Sequence, residues 1–279
     1  MNMTHPLPTS KTLARAAREQ YGRGGKPALE ADVETLPSNK VVYDTAKTGG
    51  DGWNDLELVL PDAHTHAGTG APLVDYHREH AASKAFDLLR TRLVQALRQH
   101  GWTRIAIVAP TSGCGATFTA VNLALSLARV PGSRSVLVDL DQRHPGVANA
   151  LGLTGDWIIS DFLSGRCLPE EHMIRCSDTL ALALNSHVNQ NASEQLHDDV
   201  TAAVLEDTEE ELAADVVLYD MPAMLEYDDL AAFLPHVDGV LLIADGTRTT
   251  KAQIEECERI LDGQTPLLGV VLNRGREAA

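Results

Sequence analysis

The chain is short of cysteine. Cys114, Cys167, Cys176 and Cys257 are its four in 279 residues, and no two stand in CxxC spacing. That excludes a disulfide framework and a thiolate zinc site, and it fits reduced thiols in a cytosol. Positive charge is also short. Lys and Arg number 23 against 39 Asp and Glu, a formal net charge of -16. Generic electrostatic binding to nucleic acid or to anionic lipid is thereby excluded. No apolar run approaches the roughly 20 residues of a membrane-spanning helix, so no span is expected. The opening stretch, MNMTHPLPTSKTLARAAREQ, lacks the apolar centre of a secretory signal. There is no internal repeat. The length suits one α/β domain with an appendage.

What is present divides at about residue 78. Residues 1–78 are rich in Pro, Gly, Thr, Asp and His and show little periodicity. They read as a largely disordered extension, with residues 79–279 as the folded domain. Within the extension, 11–21 has the pattern of a short basic helix. Residues 56–60 alternate like a strand or a docking segment. Transient structure in a tail is the plainer reading of both. From 79 to 101, Phe86, Leu89, Leu93, Val94 and Leu97 recur at helical spacing. Strands are then expected at 104–109, 135–139, 180–184, 216–220, 239–244 and 267–273. Helices are expected at 117–129, 157–164, 193–213, 225–234 and 251–262. The strands are continuous apolar runs, the mark of strands covered on both faces. The expected fold is therefore α/β, a doubly wound and mostly parallel sheet that binds its ligand at the carboxyl ends of the strands.

Three features fall at such ends. The first is VAPTSGCGATFTAVN, residues 108–122. An apolar strand enters a glycine turn, and an Ala/Leu-rich helix follows. This order of elements cradles phosphate oxygens with backbone N–H groups. Such loops usually end Gly-Lys-Ser/Thr, with lysine on the β- and γ-phosphates and the hydroxyl on magnesium. Here Thr117 keeps the hydroxyl, but Ala116 stands where the lysine belongs. The second feature is VLVDLDQRHP, which sets Asp139 and Asp141 just past a buried strand. The third is VVLYDMPA, which ends in Asp220. A carboxylate at the tip of an apolar strand is poorly solvated unless a cation or donor meets it. Beside a phosphate loop that cation is typically magnesium. Loop capping would explain either aspartate taken alone. His64, His66, His77 and His80 lie in the polar extension and carry little weight as a metal set. Cys114 is read as a small residue suited to the loop, with redox sensitivity as the alternative. The acidic run 206–211 reads as a solvated face.

Taken together, these segments resemble the cytosolic ATPase domain of bacterial tyrosine kinases (BY-kinases) of capsule and exopolysaccharide synthesis, relatives of the MinD/ParA-type P-loop ATPases. The resemblance covers about 83–274. APTSGCGATFTAVNLA is similar to the family's Walker A loop. VLVDLDQRHP is similar to its second aspartate motif, with Asp139, Asp141, Arg143 and Pro145 in place. VVLYDMPA is similar to the Walker B strand. NALGLTGDWIISDFLSGR, NASEQL, VDGVLLIADGTRTT and LLGVVLNR follow in the family's order. The resemblance implies a P-loop fold that binds ATP or ADP with Mg2+. It implies a cofactor-binding set of Gly113, Cys114, Gly115, Ala116, Thr117, Phe118 and Arg143. Thr117, Asp139 and Asp220 would hold or order the metal. Asp139, Asp141 and Asp220 would be the catalytic set, with Asp141 positioning the attacking hydroxyl. It also implies a membrane-embedded chain-length determinant (co-polymerase) as partner, and recruitment to the inner face of the plasma membrane.

Three departures bear on activity. Ala116 removes a charge-assisted contact, a loss of about 1.5–3 kcal/mol or roughly ten- to a hundredfold in nucleotide affinity. The loss in phosphoryl transfer is expected to be larger. Arg143 and Lys251 are the cations considered as substitutes. The family's C-terminal tyrosine cluster does not appear, and Tyr21, Tyr43, Tyr76, Tyr219 and Tyr227 are scattered. In the family's oligomerisation helix, here 83–98, Lys84 and Asp87 reverse two charges while Arg90 remains. They either pair across a homo-oligomer interface or along their own helix. The sequence thus supports a nucleotide-binding regulator of exopolysaccharide or capsule synthesis with weak or lost turnover. A catalytically inactive pseudo-ATPase scaffold is the alternative. A ParA/MinD-type positioning ATPase ranks third, because Pro110-Thr111-Ser112 lacks that group's signature lysine.

Overall fold

The computed structural model describes residues 52–61, 73 and 81–275. The expected helix at 11–21, the histidines at 64, 66, 77 and 80, and Tyr21, Tyr43 and Tyr76 lie outside these residues. Eight strands form one sheet: β1 (Glu57–Leu58), β2 (Arg104–Val108), β3 (Ser135–Asp139), β4 (Ile174–Arg175), β5 (Leu180–Ala183), β6 (Val216–Asp220), β7 (Gly239–Asp245) and β8 (Leu267–Asn273). Their order is β1-β4-β5-β3-β6-β2-β7-β8. Every pairing is parallel except β4 with β5. The connection from β2 to β3 passes over β6, and that from β6 to β7 passes over β2. The chain therefore winds in opposite directions on either side of the β2–β6 pair, and a ligand crevice opens at such a reversal.

Both faces of the central strands are covered. Ala106, Val108, Val217 and Tyr219 face one core, with Phe162 and Phe233. Ile105, Ile107, Val216 and Leu218 face the other, with Leu123 and Leu127 of the helix Ala116–Leu127. The helix Ala81–His100 buries Phe86, Leu93 and Leu97 in this second core. Its Asp87 accepts from Arg90 (3.2 Å), from the Ser126 hydroxyl (3.0 Å) and from Arg129. Asp87 thus pairs within the chain, along its own helix and across to the neighbouring one.

Most expected elements lie where the apolar pattern put them, with one revision. The single helix expected at 193–213 is two, Ala192–Leu196 and Asp199–Leu212. Asp198 stops continuation because its side chain caps the second helix at Val200 N–H. Within the expected extension, 52–61 packs on the sheet. Trp53 is only 2 % exposed and joins the first core, with Leu56 beside it. Arg134 lies over the Trp53 ring at 5.1 Å. β1 adds in parallel to β4, and Arg175 holds the Leu56 carbonyl. A buried indole supplies more apolar area than the polar composition around it suggested. Trp53→Ala is expected to cost about 3–5 kcal/mol of stability, read as a lowered denaturation midpoint. A change under 1 kcal/mol would show that the segment is not part of the folded body.

Candidate functional site

The loop after β2 runs from Ala109 to Gly115, and the helix Ala116–Leu127 begins directly behind it. Gly113 and Gly115 have φ of +75° and +95°, which only glycine adopts without strain. No side chain caps this helix at Gly115. Its first-turn N–H groups are therefore left for an external acceptor. The loop borders a cavity of about 430 Å³, lined by Thr111 to Thr117, Asp141, His144, Met221, Ala223 and Arg274 among others.

Asp139 and Asp220 end neighbouring strands and are direct register partners. Both are fully buried. One oxygen of Asp139 accepts from the N–H groups of Gly146 (3.2 Å) and Val147 (3.1 Å), which fixes its orientation. Its Oδ1 has no partner of good hydrogen-bond geometry, and neither has either oxygen of Asp220, beside which the Thr117 hydroxyl lies. Burial pushes the Asp139 carboxyl up to about 7, and nearby Asp141 adds to the rise. Burial raises Asp220 well above the usual carboxylate range, and Asp139 adds to it, while the Thr117 hydroxyl pulls the other way. Three orphaned carboxylate oxygens beside an uncapped helix start are what a hard divalent cation requires. Among the described residues no group of three or more His, Cys, Asp or Glu side chains could hold a metal. Magnesium takes one or two carboxylates and completes its shell with water and phosphate, so the Asp139 and Asp220 oxygens suffice for it. The residues present therefore fit the cation.

Asp141 stands at the cavity wall. Its Oδ1 accepts from the N–H groups of Arg143 and His144, and burial raises its pKa. Two expected ligand-binding residues face elsewhere. Arg143 bonds both oxygens of the buried Asp229 and the Gln190 carbonyl, and lies over the Tyr227 ring. Phe118 packs edge-to-face on Phe86 at 6.0 Å, behind the loop. Lys251 is solvent-exposed and pairs with Glu255 at 2.9 Å.

No family model matches the chain. It is similar to the succinoglycan biosynthesis transport protein ExoP of Rhizobium meliloti, with 27% identity over 179 residues. That match covers 61% of this chain and 22% of ExoP, so the chain spans well under two thirds of that relative. The kinase domain of the Escherichia coli tyrosine kinase ETK superposes with a TM-score of 0.67 at 24% identity, covering 75% of this chain and 82% of that one. The chain has a BY-kinase-like P-loop fold. The Pyrococcus furiosus cell division ATPase MinD superposes more loosely on this BY-kinase-like domain, with a TM-score of 0.52 at 23% identity over 63% of this chain and 73% of that one.

The fold also brings to the loop residues that sequence reasoning did not single out. Glu226 accepts from both the N–H (3.0 Å) and the hydroxyl of Ser112. Asn273 donates to the Cys114 carbonyl at 2.9 Å. Arg248 donates to the Ser112 carbonyl at 2.7 Å and Arg274 to the Gly113 carbonyl at 3.2 Å. Cys114 is buried against Thr111 and Thr249. The segments ADGTRTT and VLNR carried the only signal for the arginines and Asn273, as motif pieces without assigned roles.

Two buried carboxyls with raised pKa make the folded chain hold protons that the unfolded chain has released. Stability therefore falls as pH rises from the ordinary value of 3.8 through about 7. Asp220→Asn removes one of these charges. The magnesium-free variant should be more stable than the parent by about 1–3 kcal/mol at about pH 8, with the gap narrowing towards about pH 5. Thermal melts across that range check this, and equal melting temperatures throughout would contradict it.

Proposed function

We propose that this chain is a BY-kinase-like nucleotide-binding regulator of exopolysaccharide or capsule biosynthesis, with weak or lost ATP turnover. The observation that carries the reading is the convergence of an uncapped loop–helix junction with the unpartnered oxygens of Asp139 and Asp220. The similarity to ExoP and the fold shared with ETK support the biological setting.

In this reading the N–H groups from Gly113 to Thr117 take the phosphates. The Thr117 hydroxyl, Asp139 Oδ1 and the Asp220 carboxylate hold magnesium and its water shell. The metal, when bound, supplies charge neutralisation on the phosphate oxygens. Asp141, fixed by two backbone N–H groups, orients the hydroxyl of an acceptor tyrosine on another chain. Arg143 braces the wall through Asp229 rather than touching phosphate. No helix among the described residues is long and apolar enough to cross a membrane. The domain would act in the cytosol and be recruited to the inner face of the plasma membrane by a membrane-embedded chain-length determinant.

Ala116 favours a second reading, an inactive pseudo-ATPase that assembles partners. The two separate on one comparison. Calorimetry of MgATP should show binding by the parent and roughly ten- to a hundredfold tighter binding by Ala116→Lys. Phosphoryl transfer should rise by a larger factor still in that variant. Binding without transfer in either protein would favour the scaffold. Absence of binding in both would overturn the nucleotide-site reading.

A further inference from the structure

The loop lacks a lysine at its front and carries two arginines at its rear. β7 ends in Asp245, which is fully buried. Its Oδ2 takes Arg274 Nη1 at 2.6 Å and Arg248 Nε at 3.2 Å. Its Oδ1 is held by the N–H and hydroxyl of Thr247 at 2.8 and 2.6 Å. The two guanidinium groups share one carboxylate, so the cluster carries a surplus of one positive charge. That is the charge a loop lysine would have brought.

The same side chains set the direction of the loop's peptide dipoles. Arg248, Arg274 and Asn273 hold the consecutive carbonyls of Ser112, Gly113 and Cys114. In a planar trans peptide the N–H points opposite to the C=O. The N–H groups of Gly113, Cys114 and Gly115 are thereby turned away from the arginine side. The approach is close enough to require the glycines. A Cβ on Gly113 would lie 2.7 Å from Arg248 Nη2, and one on Gly115 would collide with the Asn273 amide. Arg274 also lines the cavity itself, and about half of its side chain is exposed there. Asp141 is the acidic side chain on the cavity wall. His144 is the other basic side chain on its wall.

We propose that Arg248 and Arg274, yoked by Asp245, replace the missing lysine: they aim the loop amides and supply positive charge from behind, and Arg274 contacts the phosphates of a bound nucleotide from the cavity rim. The proposal rests on the nucleotide-site reading given above. It makes Arg248 a positioning residue and Arg274 a phosphate-binding one. A lysine-free loop then keeps a measurable affinity for a nucleoside diphosphate.

The test is calorimetric titration of MgADP into the parent, Arg274→Gln, Arg274→Lys, Arg248→Gln, Ala116→Lys and the double variant Ala116→Lys/Arg274→Gln. Thermal melts of each variant establish that it is folded. The parent should bind, and Arg274→Gln should bind about tenfold more weakly. Arg274→Lys should recover most of that loss, and the affinity of Arg274→Gln should depend less steeply on salt. In the Ala116→Lys background the cost of Arg274→Gln should shrink, because the front charge is restored and the two cations are no longer independent. Arg248→Gln gives a second reading should Arg274→Gln melt early, with a loss of several-fold expected. Unchanged affinity in folded Arg274→Gln and Arg248→Gln would overturn the proposal while leaving the nucleotide site standing. An equal loss in both backgrounds, with no recovery by lysine, would reduce Arg274 to a structural brace and overturn it likewise. Failure of the parent to bind millimolar MgADP would overturn both the proposal and the reading beneath it.

Discussion

Two carboxylates that end adjacent strands in register, Asp139 and Asp220, constrain everything else in the site. Each would be costly to bury without a partner, and only one of their four oxygens has backbone donors of good geometry, with the Thr117 hydroxyl beside Asp220. The sheet places them there because β3 and β6 are continuous apolar runs that must lie deep. The acids appear only where those runs stop. Burial then raises both pKa values, which favours the protonated form of the pair. The same geometry makes the pair receptive to magnesium. Stability and ligand binding are thus coupled through one pair of side chains.

Around that pair the loop is built from two directions. Its front is the uncapped start of Ala116–Leu127, with Thr117 beside Asp220. Its rear is the β7–β8 side of the sheet, where Arg248, Asn273 and Arg274 grip three loop carbonyls and Asp245 holds the two arginines. A substitution at position 116 alters the front alone. The fold, the carboxylate pair and the rear clamp do not depend on a side chain there, which is how the architecture persists with alanine in that place.

The central strands were legible because a doubly covered strand has an unmistakable pattern. The ends of β3, β6 and β8 lie where the apolar runs stop. The positions of Asp139, Asp141 and Thr117 in the fold were legible for the same reason, since they follow a strand or a glycine turn directly. The elements the sequence hid are short. Val147–Ala150, Pro169–His172 and Ile174–Arg175 have too few residues to show a period. β1 falls within the strand-like alternation at 56–60, but the polar composition around it favoured transient structure there. Arg143 looked free for phosphate because the partner that claims it, Asp229, lies 86 positions away. Phe118 looked like part of the loop because nothing local reveals its contact with Phe86. Arg274 and Gly113 are 161 positions apart. Their contact comes from β2 and β8 both flanking β7, and no local pattern encodes strand order.

The most direct test of the carboxylate pair is proton release. Calorimetry of MgADP binding at about pH 6.5, repeated in buffers of differing ionisation enthalpy, counts the protons exchanged on binding. The account predicts that protons are released, and that Asp220→Asn lowers the number. Binding with no proton exchange, at that pH and in the parent chain, would contradict it.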